Sequence, residues 1–441
     1  MASSSPLPGV PVPRAVISEE AFAEALAEEA GPFLGEAQRL LDEARPDLGE
    51  RWLYGYSRLA NDLETFLDDH GAAENQRFHV IRDAVAWVRW TALAASALVH
   101  LEGRLPSYPQ ADPGFVEETL RPDLERRRRQ ALEFLLSTTQ VLAQQWIEAG
   151  VPWQAEAVGD GWVPPVRWRL PANRPQDETP AEEGVGHVAH FLGRFLRFRD
   201  SWEEGARRPV ELGPDLEEYM SRYCTERIAR VFEARAHNLQ SDFDTWVAGS
   251  AEAKEHPELL TLRSAVSQAL HLLEAATASS HLWERHRIQA RGPHRRALFE
   301  EAVDPTGLLD FTVNGCAVRA FQALDAARPL AEELLDRLLG TGSAVLELPE
   351  GLVLHARPLS LLVALVNHYG VPVQVEMGGE KADGASILSL LLLAGTHTSE
   401  RRMKVSGPKP FLEDLRELVE ARFGEEGLDG LSDRLRGILG T

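Results

Sequence analysis

Along the first 340 residues apolar side chains recur at three- and four-residue spacings, as with Phe22, Leu26, Phe33, Leu34 and Leu40, and period-2 alternation is almost absent. That spacing lines the apolar positions along one face of a helix. It predicts helices over residues 19–41, 51–69, 77–102 and 115–149, separated by breaks such as Asp69-His70-Gly71 and Leu105-Pro106-Ser107-Tyr108-Pro109. A second set is predicted over 186–202, 216–248, 257–287 and 308–339. Trp87, Trp90, Trp246 and Trp283 fall on these helical repeats and are expected in the core. Residues 1–15, rich in Ser and Pro, read as a loose arm. Residues 151–182 interrupt the pattern with prolines and with Trp162 and Trp168, and read as a connector in which Glu156–Val158 against Val166–Leu170 fits a short hairpin. The expected organisation is a helical unit at 16–150, the connector, a second helical unit at 183–340, an α/β domain at 343–425 and a helical tail at 426–441.

The two helical units resemble each other. Leu59-Ala-Asn-Asp-Leu-Glu-Thr-Phe-Leu67 aligns with Leu239-Gln-Ser-Asp-Phe-Asp-Thr-Trp-Val247 at an offset of 180. At an offset of 181, Arg82 pairs with Arg263 and His100-Leu101 with His281-Leu282. These matches predict tandem bundles related by duplication.

Composition narrows the partners. The net charge of −22, from 68 acidic and 46 basic residues, repels nucleic-acid phosphates and anionic membrane surfaces, so neither is an expected partner. The two cysteines, Cys224 and Cys316, have no metal or redox spacing and read as buried thiols of a reducing compartment, the cytoplasm. The N-terminus lacks a basic region followed by an apolar core, and the most apolar run, 387–394, is too short to insert into a membrane.

The most specific chemistry lies in Gly351-Leu-Val-Leu-His-Ala-Arg-Pro358, where a strand-like run ends at His355 and Arg357 and Pro358 follow. Pro358 fits the first turn of a helix, which places His355 at a helix start facing unpaired backbone N–H groups. An imidazole nitrogen, the Arg357 guanidinium and the helix dipole together suit a phosphoryl group carried on His355.

Residues 344–425 resemble HPr, the histidine-containing phosphocarrier of the bacterial sugar phosphotransferase system. Leu354-His-Ala-Arg-Pro358 and the apolar helix to Tyr369 carry the resemblance. So do the strand Val371–Met377, the turn Asp383-Gly-Ala-Ser386, the helix Ile387–Leu393 and the ending Leu418–Glu425. It implies an open-faced α/β sandwich in which an enzyme I-like donor phosphorylates His355 and Arg357 balances the phosphate charge. It also implies that Leu359, Leu362, Ile387 and Leu388 form a docking surface. Ser386 matches the serine that a dedicated kinase modifies in part of that family, but its place before a helix equally suits an N-cap, the reading favoured here. Where the family usually has Gly and Ala, this chain has Val353 and Leu359, which add bulk beside the phosphate pocket.

Other clusters read as structural. The acids Asp62, Glu64, Asp242 and Asp244 are not at ligand spacing with His100 or His281, and Arg126–Arg129 follows enough acids to be a salt-bridged solvated face. No zinc motif, nucleotide loop or nucleophile elbow is present, so neither a metal nor a cofactor is expected. The expected function is a phosphocarrier or phosphorylation-dependent signalling protein, rather than a turnover enzyme, acting on an unknown protein acceptor or effector. The alternatives are a scaffold that binds partners without being phosphorylated, and an active site within the helical units that the HPr-like domain regulates.

Overall fold

The structure, a computed structural model, describes residues 16–42, 48–156, 181–290, 292–425, 427 and 430–439. The predicted arm, Trp162, Trp168 and the hairpin beyond Glu156 lie outside the described residues.

The helical region contains α1 (Glu19–Glu29), α2 (Gly31–Asp42), α3 (Glu50–Asp69), α4 (His79–Arg104), α5 (Pro113–Phe115), α6 (Arg121–Glu148) and α7 (Ala181–Asp200). It continues with α8 (Pro214–Tyr223), α9 (Glu226–Asp242), α10 (Ala251–Glu255), α11 (Leu259–His281), α12 (Pro293–Ala302), α13 (Pro305–Asp310) and α14 (Val318–Leu339). Side-chain caps set several starts: Ser18 accepts the Ala21 N–H at 3.2 Å and Thr225 the Ile228 N–H at 3.2 Å. The long predicted helices are more broken than their periodicity implies. Residues 216–248 divide at Cys224, and π-helical turns occupy Val116–Leu120, Phe243–Val247, Leu282–Ile288 and Phe311–Ala317. A single inserted residue widens each turn without disturbing the three-to-four spacing on either side, which hides it from a periodicity argument.

The chain divides into two compact units, neither of them one stretch of sequence. The first comprises Met1–Ser96, Arg128–Trp168 and His281–Leu308, and the second Ala97–Arg127, Arg169–Ser280 and Leu309–Thr441. In the first, Phe33, Tyr56, Phe78, Trp87, Trp146 and Phe299 are fully buried. Burial of such large rings stabilises the unit at roughly 25 cal/mol per Å² of apolar surface. Helix α4 belongs to the apolar run His79–Ser107, long and apolar enough by composition to cross a membrane, yet 78% of its most apolar window is buried in the protein. That is the packing of a core helix, most of whose apolar surface is covered by its neighbours.

In the second unit, α7 packs along α14, and Phe191, Phe195, Phe243 and Phe311 fill the interior. Arg127 is not on a solvated face. It is 3% exposed, and its guanidinium meets Asp310 at 2.6 Å and Asp123 at 3.5 Å. Trp246 departs from expectation in the other sense, being 56% exposed and stacked on His187 at 5.2 Å. The π turn at Phe243–Val247 rotates it off the buried face.

Two contacts bear on the repeat. His281 stacks on Trp90 at 4.0 Å in the first unit, and His100 lies 4.3 Å from His271 in the second. The offset of 181 that maps His100 to His281 also maps Trp90 to His271, so it exchanges the two contacts. Likewise Arg82 bonds Glu64 at 3.0 Å and Arg263 bonds Asp244 at 2.9 Å, at matched positions.

The C-terminal part of the second unit is an α/β layer pair. It contains β1 (Thr341–Glu347), α15 (Ala356–Tyr369), β2 (Gln374–Met377), β3 (Glu380–Asp383), α16 (Ile387–Thr396), β4 (Arg402–Pro408), α17 (Lys409–Glu420) and α18 (Asp433–Leu439). The sheet is antiparallel in the order β1-β4-β2-β3, with Ala344 and Val375 both opposite Val405. Burial alternates along the strands, so one face is covered. On that face α17 packs on β1 and β4, α16 on β2 and β3, and α15 against both helices. The core joins Val375, Met403, Leu362, Val366, Phe411 and Phe423.

Candidate functional site

His355 is the N-cap of α15, with extended backbone at φ −109° and ψ −170°. Its carbonyl accepts the Leu359 N–H at 3.2 Å, and its Nδ1 accepts the Arg357 N–H at 3.3 Å. Pro358, buried in the first turn, removes one N–H that would otherwise need a partner. The imidazole is therefore held with Nδ1 over the positive end of the helix, while half of the side chain, 51%, stays exposed. Its other nitrogen, Nε2, lies 3.4 Å from Glu425 Oε1. A proton on Nε2 is favoured by that carboxylate, which leaves the Nδ1 lone pair for an electrophile.

Arg357 is exposed, and its Nη2 reaches the Gly424 carbonyl at 3.4 Å. The turn that supplies Gly424 and Glu425 is unusual. Arg422 (φ 52°), Phe423 (φ 51°) and Gly424 (φ 68°) are consecutive left-handed residues, a conformation that costs free energy at the two non-glycine positions. Phe423, 0% exposed in the core, anchors it, and Arg422 bonds the Glu350 carbonyl at 3.1 Å. The backbone strain thus lies beside His355, where it fixes two of the groups around the imidazole.

The other predicted residues divide. Ser386 caps α16, its Oγ accepting the Ser389 N–H at 3.3 Å and the Ser389 hydroxyl at 2.9 Å. Ile387 and Leu388 are exposed at 39% and 67%, and Leu392 extends the apolar surface at 64%. Leu359 and Leu362, expected with them, are 1% and 0% exposed and belong to the core, because the first turn of α15 directs them onto the sheet. Leu359 therefore does not add bulk beside His355 at the surface. Val353 is 67% exposed, so its bulk projects into solvent.

Two features were missed in the sequence. Glu425 is 70 positions from His355, and only the left-handed turn brings it back. At the far end of α15, the C-cap Gly370 (φ 66°) meets α7: Arg197 Nη1 donates to its carbonyl at 2.5 Å, and Gly193 approaches the same carbonyl. Helix α15 thus begins at His355 and ends on the helical part of its own unit. Among the described residues no group of His, Cys, Asp and Glu has the arrangement of a metal site.

Residues 343–421 match the family described as PTS HPr component, phosphorylation site. No curated protein and no solved structure matches the chain. The C-terminal region is therefore an HPr domain, which points to a phosphocarrier-type function and to interaction with enzymes of the phosphotransferase system in general.

Proposed function

We propose that His355 accepts a phosphoryl group on Nδ1 from an enzyme I-like phosphoprotein and that the chain is a cytoplasmic, phosphorylation-dependent signalling protein. The observation that carries this reading is the pairing of Nδ1 with the start of α15 and of Nε2 with Glu425. In the transfer the Nδ1 lone pair gives up the Arg357 N–H and forms the new P–N bond as the donor's bond to phosphorus breaks, its electron pair remaining on the donor. The Nε2 proton stays on the ring, where Glu425 offsets the imidazolium charge. Phosphate oxygens then sit near the helix start and within reach of the Arg357 side chain. The ring remains a good leaving group, so the phosphoryl group can be passed on. Exposed Ile387, Leu388 and Leu392 provide an apolar surface for donor or acceptor. Through α15, which ends against Gly193 and Arg197, the charge state of His355 is coupled to the helical region as effector. The exchanged stacking contacts support descent of that region from one duplicated bundle.

The test is incubation of the full chain with phosphoenolpyruvate and enzyme I. The expected product is an acid-labile, base-stable phosphate that is absent in His355→Ala. Failure of several phosphohistidine donors to label the protein, with partner capture through Leu388 retained, leaves the scaffold reading in its place.

A further inference from the structure

The first unit contains a cavity of about 480 Å³ whose lining does not include His355. Arg82, Arg89, Arg285 and Arg295 line it together with His281 and His286. Its carboxylates are Glu64, Glu74 and Asp83, so four guanidinium groups face three acids before either histidine takes a proton. In a chain of net charge −22 this gathers four arginines around one cavity.

The acids also hold the arginines in place. Glu64 divides its oxygens between Arg82 at 3.0 Å and Arg89 at 2.9 Å, and Asp83 takes Arg295 at 3.0 Å. Asp68 grips Arg82 through two bonds of 2.7 Å. Arg89 lies over Trp90 at 4.9 Å, and the same ring stacks on His281. Fixing these long side chains in advance removes much of the ordering cost that an arginine site ordinarily bears on binding. Burial raises the Asp83 carboxyl above the ordinary carboxylate range, against the pull of Arg295 and Arg82.

The volume falls within the roughly 300–1,000 Å³ of small-molecule sites. Planar guanidinium forks match the oxygens of a phosphate or carboxylate. We propose that this cavity binds a small organic anion through Arg89, Arg285 and Arg295, with His281 and His286 as further donors. The proposal is independent of phosphorylation at His355.

The test is titration calorimetry of the full chain, at constant ionic strength, with inorganic phosphate, phenyl phosphate and succinate. Saturable binding of at least one probe is expected, weakened at least tenfold in Arg89→Gln and Arg285→Gln and unchanged in His355→Ala. Binding of the two phosphates alone identifies a phosphate site, and binding of succinate alone a carboxylate site. Arg285→Lys, which keeps the charge without the fork, guards against misfolding and is expected to bind more weakly than the native chain. Absence of saturable binding by all three probes, or equal affinity in folded Gln variants, overturns the proposal.

Discussion

Gly193 on α7 and Gly370 at the end of α15 meet so closely that a Cβ added at Gly193 would lie 1.7 Å from the Gly370 carbonyl oxygen. A backbone atom cannot yield as a flexible side chain can. Arg197, one turn further along α7, donates to that same carbonyl, so a cation sits at the negative end of α15. Gly193→Ala is expected to push the two helices apart and destabilise the chain by about 1–3 kcal/mol, the usual cost of overpacking. Hydrogen exchange at residues 366–370 should rise with it. Native stability and native exchange in the variant would mean that the two helices do not touch in solution.

At the other end of α15, Glu425→Gln separates positioning from acceptance. The amide keeps the size of the side chain but cannot balance charge on the imidazole ring 3.4 Å away. Phosphorylation of His355 is expected to slow about tenfold, equivalent to about 1.4 kcal/mol, while the final stoichiometry stays the same. The ring nitrogen chemical shifts of His355, which report whether Nδ1 or Nε2 holds the proton, provide the independent readout. An unchanged rate and unchanged ring shifts would remove Glu425 from the site.

How much of this was legible in the sequence follows from the range of each interaction. His355, Arg357 and Pro358 form one local helix start, and Ser386 another, so adjacent residues announce them. Glu425 becomes a neighbour of His355 only through the left-handed pair Arg422 and Phe423, and neither residue type advertises that conformation. Leu359 and Leu388 are both leucines near a helix start, yet one is core and the other solvent-facing. Tertiary packing decides between them. Arg127 was misread because a run of arginines beside acids usually lies in water, whereas its partner Asp310 is 183 positions away.

Ser386 offers a third test because its two readings, which are compatible, predict changes in different quantities. As a cap, Ser386→Ala should cost about 0.5–2 kcal/mol and Ser386→Asp little, since aspartate caps as well as serine and favours the helix dipole. As a regulatory site, the added charge should weaken donor docking beside exposed Ile387 and Leu388. Thermal denaturation and the labelling rate of His355, measured on both variants, resolve the matter. Full labelling of the Asp variant at the native rate would leave only the cap.

The pH dependence of stability supplies the last prediction, through Asp310. Burial alone would raise its carboxyl, but hydrogen bonds from Arg127 and Asn314 outweigh burial and hold it below the usual carboxylate range. A carboxyl depressed in the folded state binds a proton less readily there than in the unfolded chain. Its contribution is therefore complete above the unfolded value of about 4 and is lost as pH falls through the lower folded value. Asp310→Asn should cost about 1.5–3 kcal/mol at pH 7, the range for a hydrogen bond to a charged group, with Arg127 still supported by Asp123. The same substitution should cost progressively less toward pH 3, because acid neutralises the native side chain as well. Urea denaturation of both proteins at pH 7, 5 and 3 measures the difference directly. A gap that stays constant across that range would show that the Arg127 to Asp310 ion pair contributes no charge-dependent stability.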